Sequence, residues 1–248
     1  MRYFIKLAYK GKNYFGWQIQ PEQESVQEKI EEALSTILRQ PQKIIGAGRT
    51  DSGVHAKRMF AHFDFENLLP ADLVHRLNQY LPKDIAVDEI LRVIDAAHAR
   101  FDAMNRTYHY HIHTSKNPFL TDFSWYLHQI PEIDKMNTAA KFLIGKQDFS
   151  SFAKTHTDVK THICDVKLAE WKKTNEGLLF VITADRFLRN MVRSIVGTLV
   201  DVGRNKLSLE EFKHIIDKRD RKFASGSAPA CGLYLADVEY PNSIFVNE

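Results

Sequence analysis

Cysteine is nearly missing from this chain: Cys164 and Cys231 are the only two in 248 residues. They lie far apart and outside any CxxC spacing, which excludes a disulfide framework and a zinc ribbon and fits a reducing compartment. Long apolar runs are missing too. No window approaches the roughly 18 apolar residues of a membrane span, and the opening MRYFIKLAYKGK carries a lysine inside its short apolar stretch, unlike a signal peptide. A cytoplasmic, soluble protein without membrane attachment is therefore expected. Also absent are a P-loop, a dinucleotide fingerprint, and the motifs that mark serine, cysteine or lysine nucleophiles. What remains is an ordinary globular composition, 44% hydrophobic, with a formal charge of +3 and a pI near 8.7. That balance permits a nucleic-acid partner without demanding one.

Hydrophobic periodicity places a strand at 2–9, a turn at 10–13, and a helix opening at Ser25, where Ser25 and Glu28 have capping-box spacing. The apolar stripe Val26, Ile30, Ala33, Leu34, Ile37, Leu38 gives that helix a core face. A short strand at 43–47 follows. Residues 57–65 then alternate as a strand with one buried and one wet face, 70–80 form a helix, and 85–93 a further strand. The second half repeats this order: strand 106–114, helix 134–144, strands 162–171 and 178–185, helix 187–202, an additional capped helix from Ser208 to about Lys218, and a closing strand 232–239. The predicted class is α+β, with two ferredoxin-like βαββαβ units. Their sheets should be mainly antiparallel with helices on one face, and a cleft should lie between the units. Domain boundaries are expected at 1–104 and 105–248.

Three segments carry chemistry. Gly48-Arg49-Thr50-Asp51-Ser52-Gly53-Val54-His55-Ala56 sets one carboxylate beside a cation in a glycine-containing loop with no hydrophobic periodicity. Glycines at 46, 48 and 53 allow positive φ or close backbone approach, and a neighbouring cation favours the ionised aspartate that a nucleophile or base requires. The bland reading of Asp-Ser-Gly is a plain turn. In the predicted helix 187–202, Arg189 and Arg193 fall four apart on an otherwise apolar element. A buried arginine needs an anionic partner, for which Asp51, Asp185 and Asp201 are candidates. Strand 106–113 alternates Tyr108, Tyr110 and Ile112 with His109, His111 and His113. Same-face neighbours on a strand lie about 6.5–7 Å apart, too far for three histidines to share one ion comfortably, so a half-exposed histidine face is favoured over a metal site. The tyrosine face offers a stacking platform for a base, or simply core. Cations also gather at 57–58, 186–204 and 213–222, raising the case for an RNA or DNA backbone.

These residues resemble the TruA family of tRNA pseudouridine synthases. The nonapeptide matches the signature GRTDAGVHA except at Ser52, where alanine is usual. Further matches in register are Tyr14 to Gln18, Ser25 to Glu28, Arg106-x-Tyr108-x-Tyr110, Phe187-Leu188 with Met191-Val192-Arg193, and Ala228 to Leu233. The resemblance implies isomerisation of uridine to pseudouridine at positions 38, 39 and 40 of the tRNA anticodon stem-loop. Within that implication Asp51 is the nucleophile, Arg193 the cation paired with it, Tyr108 the ring stacked on the target uracil, and Arg49 a stabiliser of the extruded nucleotide. Arg106 and Leu188 join the substrate-binding set. A homodimer is implied, with no metal and no organic cofactor. Two other readings stay open on residues alone: a non-catalytic RNA-binding module, and a hydrolase using a metal on His109, His111 and His113.

Overall fold

The computed structural model describes residues 1–155 and 159–246, and these divide into two compact units, Met1–Met104 with Tyr234–Glu248, and Asn105–Leu233. Ten strands and five α-helices are present among the described residues, a mixed α/β arrangement consistent with the α+β class.

In the first unit β1 (Arg2–Tyr9) pairs antiparallel with both β3 (His55–Asp64) and β4 (Ile85–Val93), and the two-residue β2 (Ile45–Gly46) pairs antiparallel with β3. The chain-order elements β1, α1 (Val26–Leu38), β2, β3, α2 (Leu73–Tyr80) and β4 thus give the sheet order β4-β1-β3-β2. Helix α1 begins where the sequence predicts, because the Ser25 hydroxyl accepts the Glu28 N–H and so satisfies one orphan donor of the first turn. It ends at Leu38 with Arg39 left-handed. Its face of Val26, Ile30, Ala33 and Leu34 is buried, α1 packs on α2, and α2 packs on β4. The predicted strand at 43–47 shrinks to β2.

Two corrections concern this unit. The strand β10 (Leu233–Glu239) was expected to close the second half; instead Tyr234–Glu248 groups with the first unit. The cause is its bonding: β10 pairs parallel with β3, through Tyr234 with His55 and Leu235 with Ala56, and the Tyr240 hydroxyl donates to the Ala99 carbonyl at 2.5 Å. A parallel pairing inside the unit also makes its sheet mixed. Second, the face of β3 expected to be wet is exposed only toward its ends, at Arg58 and Asp64. Phe60 and His62 are both buried, since Tyr240 packs edge-on against Phe60 and the Ala99 N–H donates to His62 Nδ1. Residues far away in sequence supply that cover.

The second unit runs β5 (Asn105–His113), β6 (Trp125–Tyr126), α3 (Ile133–Ala140), β7 (Gly145–Asp148), β8 (Ile163–Lys173), β9 (Gly177–Ala184), α4 (Met191–Gly203) and α5 (Leu209–Lys218). Its strands follow the antiparallel path β5-β9-β8-β7, with β6 parallel on β5. Helix α3 packs on β8, α4 and α5, around a core that includes Phe149, Phe152, Ile195, Leu199 and Phe212. Each such side chain contributes roughly 1.5–3 kcal/mol on burial. The full capping box predicted at Ser208 and Glu211 is present on α5. Helix α4 starts later than the sequence suggests. Phe187 to Asn190 lie outside it, and Asn190 takes φ 64° as its N-cap. Among the described residues no helix is long and apolar enough to cross a membrane.

Candidate functional site

Asp51 sits on a tight turn in the first unit. The Val54 N–H donates to the Asp51 carbonyl at 3.1 Å, and Gly53 takes φ 77° to close the turn, a left-handed conformation that glycine adopts without strain. His55 and Ala56 belong to β3, so the turn is fixed to a strand on its carboxyl side. On its amino side Thr50 is buried; its Oγ1 shares a 2.8 Å hydrogen bond with the Tyr9 hydroxyl, and its carbonyl accepts the Trp17 N–H. Asp51 itself is half-buried, while Arg49 and Ser52 are exposed.

The three glycines named from sequence do different things. Gly53 supplies the positive φ. Gly46 makes room for the Trp17 ring, which a Cβ would meet at 2.5 Å, whereas a Cβ at Gly48 would meet nothing within 4 Å. The tightest approaches come from glycines outside the loop, and a Cβ at Gly11 would lie 2.0 Å from the Val54 carbonyl oxygen. Gly16 has φ +96°, and its missing Cβ would lie 2.4 Å from the Thr50 carbonyl oxygen. Segment 11–17 is therefore packed directly under the aspartate turn, and sequence reasoning assigned it no such task.

In the second unit β5 presents Tyr108 half-buried, with the Phe187 ring edge-on at 5.1 Å, whereas Tyr110 is wholly buried. Tyr110 is core: its hydroxyl donates to the Pro229 carbonyl, and burial raises its pKa. Arg106 donates from Nη1 to the Asp185 carbonyl at 2.8 Å, and Leu188 is buried.

Arg193 lies half-buried near the start of α4. Its Nε donates to the Ala228 carbonyl at 2.7 Å while the Ala228 N–H donates back to the Arg193 carbonyl, so side chain and backbone are clamped to one residue of the 225–229 segment. That segment lies close on α4, because a Cβ at Gly197 would sit 2.0 Å from the Gly226 oxygen. Asn190 and Arg221 both donate to Ser227 Oγ and hold it from either side. Arg189, expected to share a helical face with Arg193, precedes the helix and is exposed. The rival carboxylates have partners of their own: Asp185 Oδ1 accepts the Asp165 and Arg186 N–H groups, and Asp201 pairs with Lys206.

The histidine face does not assemble a metal centre. His113 is buried and stacked on Tyr126, with its pKa lowered by burial. The His109 and His111 rings stand 6.2 Å apart. Among the described residues no group of three histidine, cysteine or carboxylate side chains is placed to hold an ion. Cys164 and Cys231 are free thiols; burial pushes Cys164 up to about 12 and raises Cys231, which makes them poor nucleophiles.

Comparison with known proteins gives a consistent result. A family model described as "tRNA pseudouridine synthase" matches residues 6–102 and 139–241, spans that hold Arg49, Asp51, Leu188 and Arg193 but not Arg106 or Tyr108. A protein of Bacteroides fragilis named tRNA pseudouridine synthase A is 53% identical, over 98% of each chain. One of the same name from Bacteroides thetaiotaomicron is 52% identical, over 100% of this chain and 93% of its own. A Bacillus subtilis protein, again of that name, is 38% identical over 98% of this chain and 100% of its own.

Proposed function

The chain belongs to the tRNA pseudouridine synthase family, and from that premise we propose that it isomerises uridine to pseudouridine at positions 38, 39 and 40 of the tRNA anticodon stem-loop, with Asp51 as the reacting carboxylate. The observation that carries this reading is the build of the Asp51 turn. One carboxylate is held on a short closed turn at the root of a strand, inside the signature nonapeptide.

The reaction is an isomerisation within one nucleotide. The N1–C1′ bond breaks, the uracil turns, C5 bonds to C1′, the C5 proton leaves, and N1 ends protonated. Nothing is oxidised or reduced and no group is transferred to a second molecule, so carboxylate chemistry suffices without a cofactor. The target must first leave its stack, at a cost of a few kcal/mol that is least in a loop or at a stem end. Stacking on Tyr108 recovers about 1–3 kcal/mol; Phe187, edge-on to that ring, fixes its plane. Arg193 is taken, as the resemblance implies, to be the cation that serves the reacting carboxylate. Arg49 and Arg106 contact the phosphate backbone around the extruded nucleotide, and Leu188 lines the base pocket. The protein acts in the cytoplasm, as a homodimer. We further read the βαββαβ order and the β4-β1-β3-β2 sheet of the first unit as ferredoxin-like.

Tritium release from tRNA carrying C5-labelled uridine tests the assignment. Asp51→Asn should abolish release while tRNA binding stays within a few-fold of wild type. Undiminished release would remove Asp51 from the chemistry, and intact function without any release would make the protein an RNA-binding module only.

A further inference from the structure

We propose that Asp84, Tyr14 and Ser52 are positioning residues for the isomerisation, forming a latch that sets where the Asp51 carboxylate stands. The proposal rests on the reading of Asp51 as the reacting group. None of the three is assigned a role by the resemblance, and Ser52 is the one position where the nonapeptide departs from its signature.

The latch has two stages. At the turn, the two donors that follow Asp51 converge on a single acceptor: the Ser52 hydroxyl and the Gly53 N–H each donate to the Tyr14 carbonyl at 3.3 Å. An alanine at 52 has no hydroxyl to give, so the side-chain half of this grip is a property of the present sequence. On the other side of Asp51, the Trp17 N–H holds the Thr50 carbonyl, and Gly16 lets that backbone come within contact. The aspartate is thus bracketed by the Tyr14 carbonyl, which accepts on one side, and the Trp17 N–H, which donates on the other, both within residues 14–17.

That segment needs its own anchor, because 11–13 form only a single short 3-10 turn. Asp84, just before β4, provides it. The Tyr14 hydroxyl donates to Asp84 Oδ1 at 2.6 Å, Asn13 Nδ2 donates to Oδ2 at 3.0 Å, and the Lys10 N–H donates to the Asp84 carbonyl at 2.9 Å. Each of the three oxygens of Asp84 thus accepts a bond from residues 10–14. Burial and the adjacent Asp84 carboxylate raise the Tyr14 phenol well above its ordinary value, so it remains a donor across the working range. Tyr14 is 4% exposed, which leaves its ring no route to the substrate. It acts through the turn.

Positioning and mere stability make different predictions, because a group that only aims the nucleophile alters the chemical step and leaves RNA binding alone. Single-turnover tritium release and tRNA affinity are measured for Ser52→Ala, Tyr14→Phe, Asp84→Ala and the double variant Ser52→Ala with Asp84→Ala. Tyr14→Phe and Asp84→Ala should lower the single-turnover rate by about ten-fold or more, and Ser52→Ala by a few-fold, with tRNA Kd changed less than about two-fold. The double variant should lose less than the product of the single losses, since both act through the same segment. Ser52 is exposed, so its truncation keeps the proposal testable if Asp84→Ala does not fold. Wild-type rates in Ser52→Ala and Tyr14→Phe, or losses confined to Kd, overturn the latch and leave the Asp51 reading intact if Asp51→Asn is inactive. An active Asp51→Asn overturns that reading instead.

Discussion

His62 shows how far one side chain can depart from its apparent role. Its alternation in β3 puts it on the face expected to be wet, yet it is 3% exposed, stacked with Phe4, edge-on to His98, and bonded through Nδ1 to the Ala99 N–H. Burial first, then the nearby Arg2 guanidinium and His98, push it down to about 4 from an ordinary value of 6.5; Asp64 and Asp102 oppose the shift. His98 is lowered as well, chiefly by burial. A histidine depressed in the folded state takes up protons more readily when unfolded. Between about pH 6.5 and 4 the unfolded chain therefore binds more protons, and stability falls as pH falls through that window. The loss for His62 across that window is on the order of 3 kcal/mol. Urea unfolding at pH 7 and pH 4.5 should show it, and His62→Asn, which keeps an acceptor for Ala99 without the titrating ring, should flatten the difference. An unchanged pH dependence in that variant would remove His62 as its source.

At the scale of elements, the strands and helices with strong periodicity were legible. Arg2–Tyr9 and Ile85–Val93 fall where their alternation puts them, and the caps at Ser25 and Ser208 mark α1 and α5. The start of α4 was not legible. Phe187-Leu188-Arg189 continues an apolar pattern without a break, and only the left-handed Asn190, a conformation asparagine tolerates, separates it from the helix. The aspartate loop could be found from its residue types, but its foundation could not, because Asp84 lies 33 positions from Asp51 in a segment with no motif. Helix α4 carries its own test. Gly197 stands against the Gly226 carbonyl, so Gly197→Ala must push away the segment that clamps Arg193 through Ala228. We expect a destabilisation of about 1–3 kcal/mol in urea and a lower rate of tritium release. Wild-type values for both would show that the segment yields freely.

At the scale of the whole molecule, the first unit is discontinuous in sequence and the second is not. The returning segment is bonded at several points: Met104 N–H to the Glu239 carbonyl, Ile94 N–H to the Ile244 carbonyl, and Val246 N–H to the Arg92 carbonyl, besides the β3–β10 pairing. Its aromatic residues Tyr240 and Phe245 pack edge-on to Phe4. Ending the chain before Tyr234 should therefore strip amide-exchange protection from β1, β3 and β4 while β8 and β9 keep theirs. Equal loss in both units would mean that the two fold as one cooperative body.

The same discontinuity sets an order of events during synthesis. Everything within 105–233 has been translated before Tyr240 exists, so the unit carrying Tyr108 and Arg193 can reach its fold while the one carrying Asp51 still lacks the cover over Phe4, Phe60 and His62. Translation usually lets the amino-terminal part of a protein settle first. Here the unit bearing Asp51, although it leads the sequence, is completed last, and its unfinished sheet waits through the translation of more than a hundred further residues with the edge of β3 and an aromatic face exposed. A nascent chain stalled before residue 234 is accordingly where chaperone dependence should concentrate.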